Sequence, residues 1–459
     1  MPKIGLISLG CAKNLVDSEH MLALLRAAGW EVTEDMAEAD VGVVNTCGFI
    51  EAAKSEAIET ILDTAQYKQT GNMKGLVVTG CLVQRYAEEM KTELPEIDAL
   101  CGTGSYESIV DAANAALGGH KAAYMADMAS AALGGHKAAY MADMASAALE
   151  GERSRLTPSY TAYFKIAEGC SNRCGYCIIP KLRGPYRSRG MDALLAEAQA
   201  LSDAGVKELI VIAQDITKYG MDLPEHKRLL PELLRRLCEM DFHWVRLHYL
   251  YPDQITDELI DVIASEPKIV KYLDIPLQHV SKRILRAMHR PGDGDEFAAL
   301  IADLRARIPS LVLRTSLIVG LPGETEEEFA ELCTFLQETQ IERVGVFEFS
   351  PEEGTEAAEL PDQIDAETKS NRRLIVEELQ SGVLDDYNTS RHGETIEVLC
   401  EGFDDEQQLW FGRTYADSVE VDGHVYFESD GEPQAGDFVP VLITESLGPD
   451  LLGVQQKGE

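Results

Sequence analysis

Apolar runs and helical patterns alternate along the first hundred residues. Residues 3–9, 41–45 and 76–79 read as buried strands, with helical patterns over 18–28 and 51–66. Such alternation predicts a parallel α/β sheet. The alternation resumes at residue 162, with strand candidates at 162–167, 208–213, 244–248, 270–275, 311–319 and 343–349 and helical patterns between them, such as 192–204, 231–240 and 325–337. Six βα units predict an open, partial TIM-type barrel, a fold that carries its chemistry on loops at the C-terminal ends of the strands. Beyond residue 391 the pattern shortens to strands at 395–400, 408–415, 418–421, 425–427, 438–444 and 452–454. Closely spaced short strands predict a small β-barrel.

Residues 115–130 and 131–146 are identical, AALGGHKAAYMADMAS twice in tandem. A period of 16 matches no solenoid repeat, and two copies could not build one. The duplication reads as a linker without chemistry, so His120 and His136 are not proposed as ligands. The expected division is an α/β domain over 1–114, a linker over 115–152, the six-unit barrel over 153–390 and the small barrel over 391–459.

Cysteine placement changes this from a fold to a chemistry. Cys170, Cys174 and Cys177 follow the first strand of the six-unit barrel, with spacing Cys-x3-Cys-x2-Cys and no further Cys or His in the next forty residues. Structural zinc sites close with four ligands. An iron–sulfur cubane also takes four, so three thiolates would leave one iron open for another ligand. A zinc knuckle completed from elsewhere and a chance grouping are the alternatives. In the first domain, Cys11, Cys47 and Cys81 each follow a strand. Ligands of open parallel sheets sit beyond such strand ends, which predicts a shared metal site. Cys101, Cys238, Cys333 and Cys400 lack such placement and read as structural.

The composition, 45% hydrophobic and 26% charged, is that of a globular protein. No apolar run is long enough to span a membrane, and the N-terminus reads as a strand rather than a signal peptide. A cytoplasmic location is expected, with the ten cysteines as ligands or core residues rather than disulfides. The net charge of −37 disfavours a polyanionic partner and suits a basic protein, the alternative being an acidity that serves halophily or solubility alone. From Glu394 to Glu459 acids outnumber bases 16 to 2, the bases being Arg413 and Lys457. Direct RNA binding by that barrel is therefore not expected.

The spacing of Cys170, Cys174 and Cys177 resembles the signature of radical S-adenosylmethionine (SAM) enzymes. With both cysteine sets, the chain resembles the radical-SAM methylthiotransferases, which join an N-terminal α/β domain, a radical-SAM barrel and a C-terminal TRAM barrel. Ser8-Leu9-Gly10-Cys11-Ala12-Lys13-Asn14, with Asp17-Ser18-Glu19, is similar to the branch that modifies ribosomal protein S12, as is Arg183-Gly184-Pro185-Tyr186-Arg187-Ser188-Arg189. The branch acting on tRNA adenosine carries a Gly-Cys-Gln-Met-Asn type of opening instead.

The resemblance implies two 4Fe–4S clusters and SAM as cofactors. Cys170, Cys174 and Cys177 would hold the SAM-binding cluster, and Cys11, Cys47 and Cys81 an auxiliary one. Gln214, Asp215, Gln278, His279 and Arg314 fall where radical-SAM barrels contact SAM. Glu324, near a helix start, is expected to be structural. The implied reaction is methylthiolation of the β-carbon of an S12 aspartate: a SAM-derived radical removes hydrogen, sulfur from the auxiliary cluster is inserted, and a second SAM supplies methyl. A flavodoxin or ferredoxin would supply electrons. The alternatives are a tRNA 2-methylthioadenosine synthase, disfavoured by the motifs and the acidic barrel, and a non-catalytic iron–sulfur carrier, which has no use for a six-unit barrel.

Overall fold

The computed structural model describes residues 1–125 and 151–457. Its first sheet is parallel throughout: β1 (Lys3–Ser8), β2 (Glu31–Val32), β3 (Val41–Thr46), β4 (Gly75–Gly80), β5 (Ala99–Gly102) and β6 (Ala122–Tyr124), in the order β2-β1-β3-β4-β5-β6. Every residue of β3 and β4 is buried, as the continuous apolar runs require when helices cover both faces. Three of these strands were not expected from the sequence. β2, β5 and β6 are two to four residues long, too short to carry a periodic pattern.

The first repeat copy is not a linker at its start. Its opening residues finish the helix Ile109–Leu117, and residues 122–124 form the edge strand β6. The expected linker therefore begins after the sheet rather than at residue 115. The second copy, with His136, lies outside the described residues.

The six-unit barrel contains β7 (Thr161–Lys165), a short ribbon of β8 (Ala167–Glu168) and β9 (Arg187–Ser188), and then β10 (Glu208–Ile212), β11 (Trp244–Leu247), β12 (Ile269–Asp274), β13 (Val312–Val319) and β14 (Arg343–Glu348). The main sheet runs β14-β13-β12-β11-β10-β7, all parallel and open between β14 and β7. Phe164, Leu209, Val211, Leu247, Leu273 and Leu317 lie on the outer face and form the core under the helices. The inner face is unusually polar. In register it carries Tyr163, Lys165, Glu208, Arg246, Asp274, Arg314 and Arg343.

The C-terminal unit is a closed barrel of β15 (Thr395–Asp404), β16 (Leu409–Arg413), β17 (Val425–Glu428), β18 (Phe438–Leu447) and β19 (Asp450–Gln455), in the order β15-β16-β17-β19-β18. Residues 418–421, expected as a strand, belong instead to the loop joining β16 to β17. This loop plugs the six-unit barrel. Arg246 donates to the carbonyls of Tyr415 at 2.8 Å and Thr414 at 3.3 Å. Arg343 pairs with Asp417 at 2.7 Å, Tyr272 donates to Asp422 at 2.7 Å, and the Ser418 hydroxyl lies 3.1 Å from His248 Nε2. Val419 packs with Val16, Tyr163, Ile210 and Ile212. These partners explain why an inner face rich in charge is stable: its cations meet carbonyls and carboxylates from the loop.

Candidate functional site

Three neighbouring strand ends carry the first cysteine set. The register aligns Ser8 with Asn45 and Thr46 with Gly80, so Cys47 and Cys81 leave the sheet side by side. Cys11 follows β1 after a turn at Gly10, whose φ is +86°. A Cβ at Gly10 would stand 2.8 Å from Cys47 Cβ, so glycine lets these two loops meet. Asn14 ties the set together, donating from Nδ2 to the carbonyls of Leu9 and Thr46, each at 3.0 Å. Asn45 donates to Asn14 O and to Ser18 Oγ, both at 2.9 Å, and Thr46 Oγ1 donates to Thr79 O at 2.6 Å. Cys11 is exposed, Cys47 half-buried and Cys81 buried.

The second set occupies the loop after β8. Gly169 has φ +73°, and a Cβ there would come within 2.2 Å of Pro185 O, so this entry to the loop requires glycine. Cys170 N donates to Gly184 O at 3.1 Å, and Gly175 N to Met288 O at 2.9 Å. The Cys174 thiol lies 2.8 Å from the Tyr251 hydroxyl, which also meets Arg290. Arg290 in turn donates to Pro276 O at 2.7 Å and stacks its guanidinium 4.3 Å from the centre of the Tyr251 ring.

The two sets share one junction. Cys81 packs against Ile178 and Leu182, just past Cys177, and Thr103 Oγ1 donates to Leu182 O at 2.6 Å. Arg183, fully buried, donates to both Glu168 carboxylate oxygens at 3.0 Å, to Asp17 at 3.1 Å and to Asn14 Oδ1. Lys165 pairs with the same two acids, 2.9 Å from Glu168. Two cations and two carboxylates from both units thus neutralise one another out of water, the condition under which buried charge is tolerated.

The electrostatics differ between the thiols. Burial pushes Cys81 and Cys177 up to about 12 and Cys170 to about 11. Burial also pushes Cys47 up. At Cys11, enclosure by surrounding protein acts in the same direction, but the Lys13 and Arg183 cations and backbone N–H groups outweigh it and hold the thiol below its ordinary value. The raised Cys170 and Cys177 thiols mean that a metal must displace their protons on binding.

The other predicted residues are placed unevenly. Asp215 is buried beyond β10; it caps the next turn through Thr217 N at 3.1 Å and accepts from Asn172, inside the cysteine loop, at 2.9 Å. Gln214 Oε1 is buried without a hydrogen-bond partner among the described residues, a polar atom left for a ligand to meet. Arg314 lies on the inner face, 3.1 Å from Asp274. Gln278 has φ +72°, and its backbone bridges to β13. His279 accepts from Ser281 N at 3.0 Å, among Glu328, Arg372 and Arg283 rather than beside the cysteine loop. Glu324 is buried, accepts from Leu321 N at 3.0 Å and pairs with Arg372 at 3.2 Å, a structural role.

Sequence reasoning missed Tyr249, Tyr251 and Arg290 and gave Arg183 no role. The run His248-Tyr249-Leu250-Tyr251 immediately after β11 was the available signal, since side chains at strand C-termini line such sites. Among the described residues no three His, Cys, Asp or Glu side chains gather as a single metal ion requires. A tetrahedral zinc site draws its sulfurs to about 2.3 Å from one point, whereas a cubane spaces its thiolates around a cluster of several atoms.

Comparison with known proteins bears on the same residues. Residues 3–102 match the uncharacterized protein family UPF0004, 164–336 the radical SAM superfamily and 393–455 the TRAM domain. The ribosomal protein uS12 methylthiotransferase RimO of Lachnoclostridium phytofermentans is 47% identical over 99% of this chain and 100% of its own length. The chain belongs to the uS12 methylthiotransferase family. The RimO protein of Pelotomaculum thermopropionicum is 48% identical, covering 98% of each chain. In fold, this methylthiotransferase resembles the radical SAM methyltransferase TsrM of Kitasatospora setae, with TM-score 0.56 and 14% identity over 78% of this chain and 77% of that one. The plugged barrel and paired cysteine sets are thus set in a radical-SAM enzyme fold.

Proposed function

We propose that this enzyme methylthiolates the β-carbon of an aspartate of ribosomal protein uS12, in the cytoplasm. The observation that carries this reading is the junction at which Cys81, of one three-thiol set, packs against Ile178 and Leu182, the residues that follow the other. Cys170, Cys174 and Cys177 would hold a 4Fe–4S cluster that binds SAM, and Cys11, Cys47 and Cys81 the auxiliary cluster. When bound, these groups supply a radical able to take an unactivated hydrogen, together with the sulfur and methyl to replace it.

The chain's own residues do the rest. Asp215 fixes Asn172 and with it the cysteine loop, while Gln214 offers an unmatched acceptor beside it. Tyr251 and Arg290 hold Cys174 in place, the hydroxyl 2.8 Å and the guanidinium 3.8 Å from its sulfur. The loop at 414–422 closes the barrel and excludes water from a reactive centre. Gln278 and Arg314 line the same barrel and are read as further SAM contacts. His279, packed among Glu328 and Arg372, is read as part of the scaffold.

The acidic surface suits a basic ribosomal protein. In the C-terminal barrel Arg413 is buried against Glu208 and Glu401, leaving Lys457 as the exposed base among the described residues. That surface supports uS12 rather than RNA as substrate. A low-potential flavodoxin or ferredoxin is the expected electron donor. Among the described residues no helix is long and apolar enough to cross a membrane.

The test is the intact mass of uS12 from cells with and without the gene. A gain of about 46 Da, hydrogen replaced by S–CH3, that disappears on deletion supports the reading. An unchanged uS12 mass in both strains, with the same increment found in tRNA nucleosides, overturns it.

A further inference from the structure

Lys13 is a buried cation with no anion in hydrogen-bonding contact among the described residues. It is 6% exposed, and none of the hydrogen bonds or ion pairs among the described residues uses its ammonium. Its Nζ lies 3.2 Å from the centre of the Tyr249 ring. Three further features make the placement costly. Lys13 sits in the first turn of the helix Ala12–Ala27, where the helix dipole disfavours positive charge. The Arg183 guanidinium is close enough to repel it. Tyr249 holds its ring there from a backbone with φ +66°, a conformation that non-glycine residues adopt at a cost and that clusters at functional sites.

The other cations of the chamber are all engaged. Arg183 and Lys165 share Asp17 and Glu168, Arg314 pairs with Asp274, and Arg290 is bound to Tyr251 and Pro276 O. Lys13 therefore lacks a contacting anion and feels only the more distant Cys11 thiol, two residues away, and the carboxylates of Glu168 and of Asp274 at the C-terminal end of β12. An ammonium left in this position calls for an anion that arrives with the ligand. The reacting residue proposed above is an aspartate, whose carboxylate is bonded to the carbon that reacts. In a protein of net charge −37, that carboxylate needs a local cation to enter.

We infer that Lys13 is the substrate-specificity residue, binding the side-chain carboxylate of the aspartate to be modified while the Tyr249 ring holds the ammonium in place. The inference rests on the uS12 reading. It also gives a physical meaning to Lys13 in Ala12-Lys13-Asn14: an uncharged adenine would have no use for a buried ammonium here. Lys13 is a positioning residue, since it would fix the β-carbon without taking part in its bond changes.

The test is a four-way comparison with the reconstituted full-length enzyme: wild type and Lys13→Gln, each with uS12 and with uS12 in which the modified aspartate, located by tandem mass spectrometry, is replaced by asparagine. Binding is read by titration, and cluster content by iron analysis and absorbance. Wild type should prefer the aspartate form by roughly 10- to 100-fold, the usual range for a charge-assisted hydrogen bond. Lys13→Gln should bind both forms equally, at about the wild-type affinity for the asparagine form, and Lys13→Arg should recover part of the preference. A Lys13→Gln enzyme that still prefers aspartate by the wild-type factor overturns the inference. So does an equal loss for both substrates, or lost iron, which would assign Lys13 to the auxiliary cluster. Failure of wild type to modify uS12 at all would instead overturn the functional reading on which the inference depends.

Discussion

Glu208 is the joint between the two barrels, and removing its charge should loosen them measurably. The carboxylate is fully buried on the inner face of the six-unit barrel, 2.9 Å from Arg246 and 2.7 Å from Arg413 of the C-terminal barrel. Glu208→Gln keeps the shape but leaves two buried guanidinium groups without their shared anion, a change that costs about 3–5 kcal/mol in such settings. The shift of the acid gives a second measure. Burial alone would raise it, but Arg413 and Arg246 outweigh burial and hold Glu208 at about 2, against an ordinary 4.5. At 1.36 kcal/mol per unit that is about 3 kcal/mol, consistent with the lower end of the first range. Because the folded value is depressed, this stability is fully present above pH 4.5 and lost as pH falls through 2.

The assay is urea unfolding at neutral pH followed by Trp244 fluorescence. Trp244 lies in the interface, its ring centre 4.7 Å from that of Phe438, and Trp30→Phe and Trp410→Phe would leave it as the sole indole probe. Glu208→Gln should lower the stability of this transition by about 3 kcal/mol. The double variant with Arg413→Met should lose less than the sum of the two single changes, because one orphaned cation has gone. A loss below about 1 kcal/mol, the worth of an exposed pair, would refute the joint.

Two further outcomes are expected. Cys174→Ala should abolish 5′-deoxyadenosine formation, whereas Cys47→Ala should leave it measurable while ending methylthiolation; equal loss in both would refute the division between the two cysteine sets. Burial holds His20 and His279 at about 4, so both are neutral in the fold. The stability this gives is complete above pH 6.5 and falls on acidification toward pH 4, by up to roughly 3 kcal/mol for each. The urea midpoint of His279→Asn should therefore depend less on pH over that window than that of wild type, and parallel slopes would refute the assignment.

The long repeating patterns were legible, and so was the placement of the cysteines relative to them. Cys11, Cys47 and Cys81 follow strands whose apolar runs are continuous, and the six-unit barrel announces itself by period. The missed elements failed for a physical reason. Two residues of β2 or four of β5 satisfy backbone hydrogen bonds without needing a hydrophobic face of their own. The helix Ala12–Ala27 begins six residues before its expected start, because Cys11 at its N-cap offers no side-chain hydrogen bond and Lys13 opposes the dipole. Residues 418–421 look like a strand because Val419 and Val421 alternate with polar neighbours. Val419 instead packs into the other barrel, while Val421 is exposed. Partnerships across hundreds of residues, such as Glu208 with Arg413 or Arg183 with Asp17, leave no local trace. They depend on which inner-face position each strand presents, and that follows from register rather than from pattern.

The plug at 414–422 also sets an order of assembly during synthesis. All six candidate cluster ligands have been synthesised by residue 177, more than two hundred residues before the loop that completes the barrel interior. A nascent chain lacking that loop carries Arg246, Arg343, His248 and Tyr272 on an inner face without the partners they meet in the finished protein. The loop at 414–422 must therefore be made before the reaction chamber has a floor. Chains truncated before that loop would hold the thiols but not the enclosure.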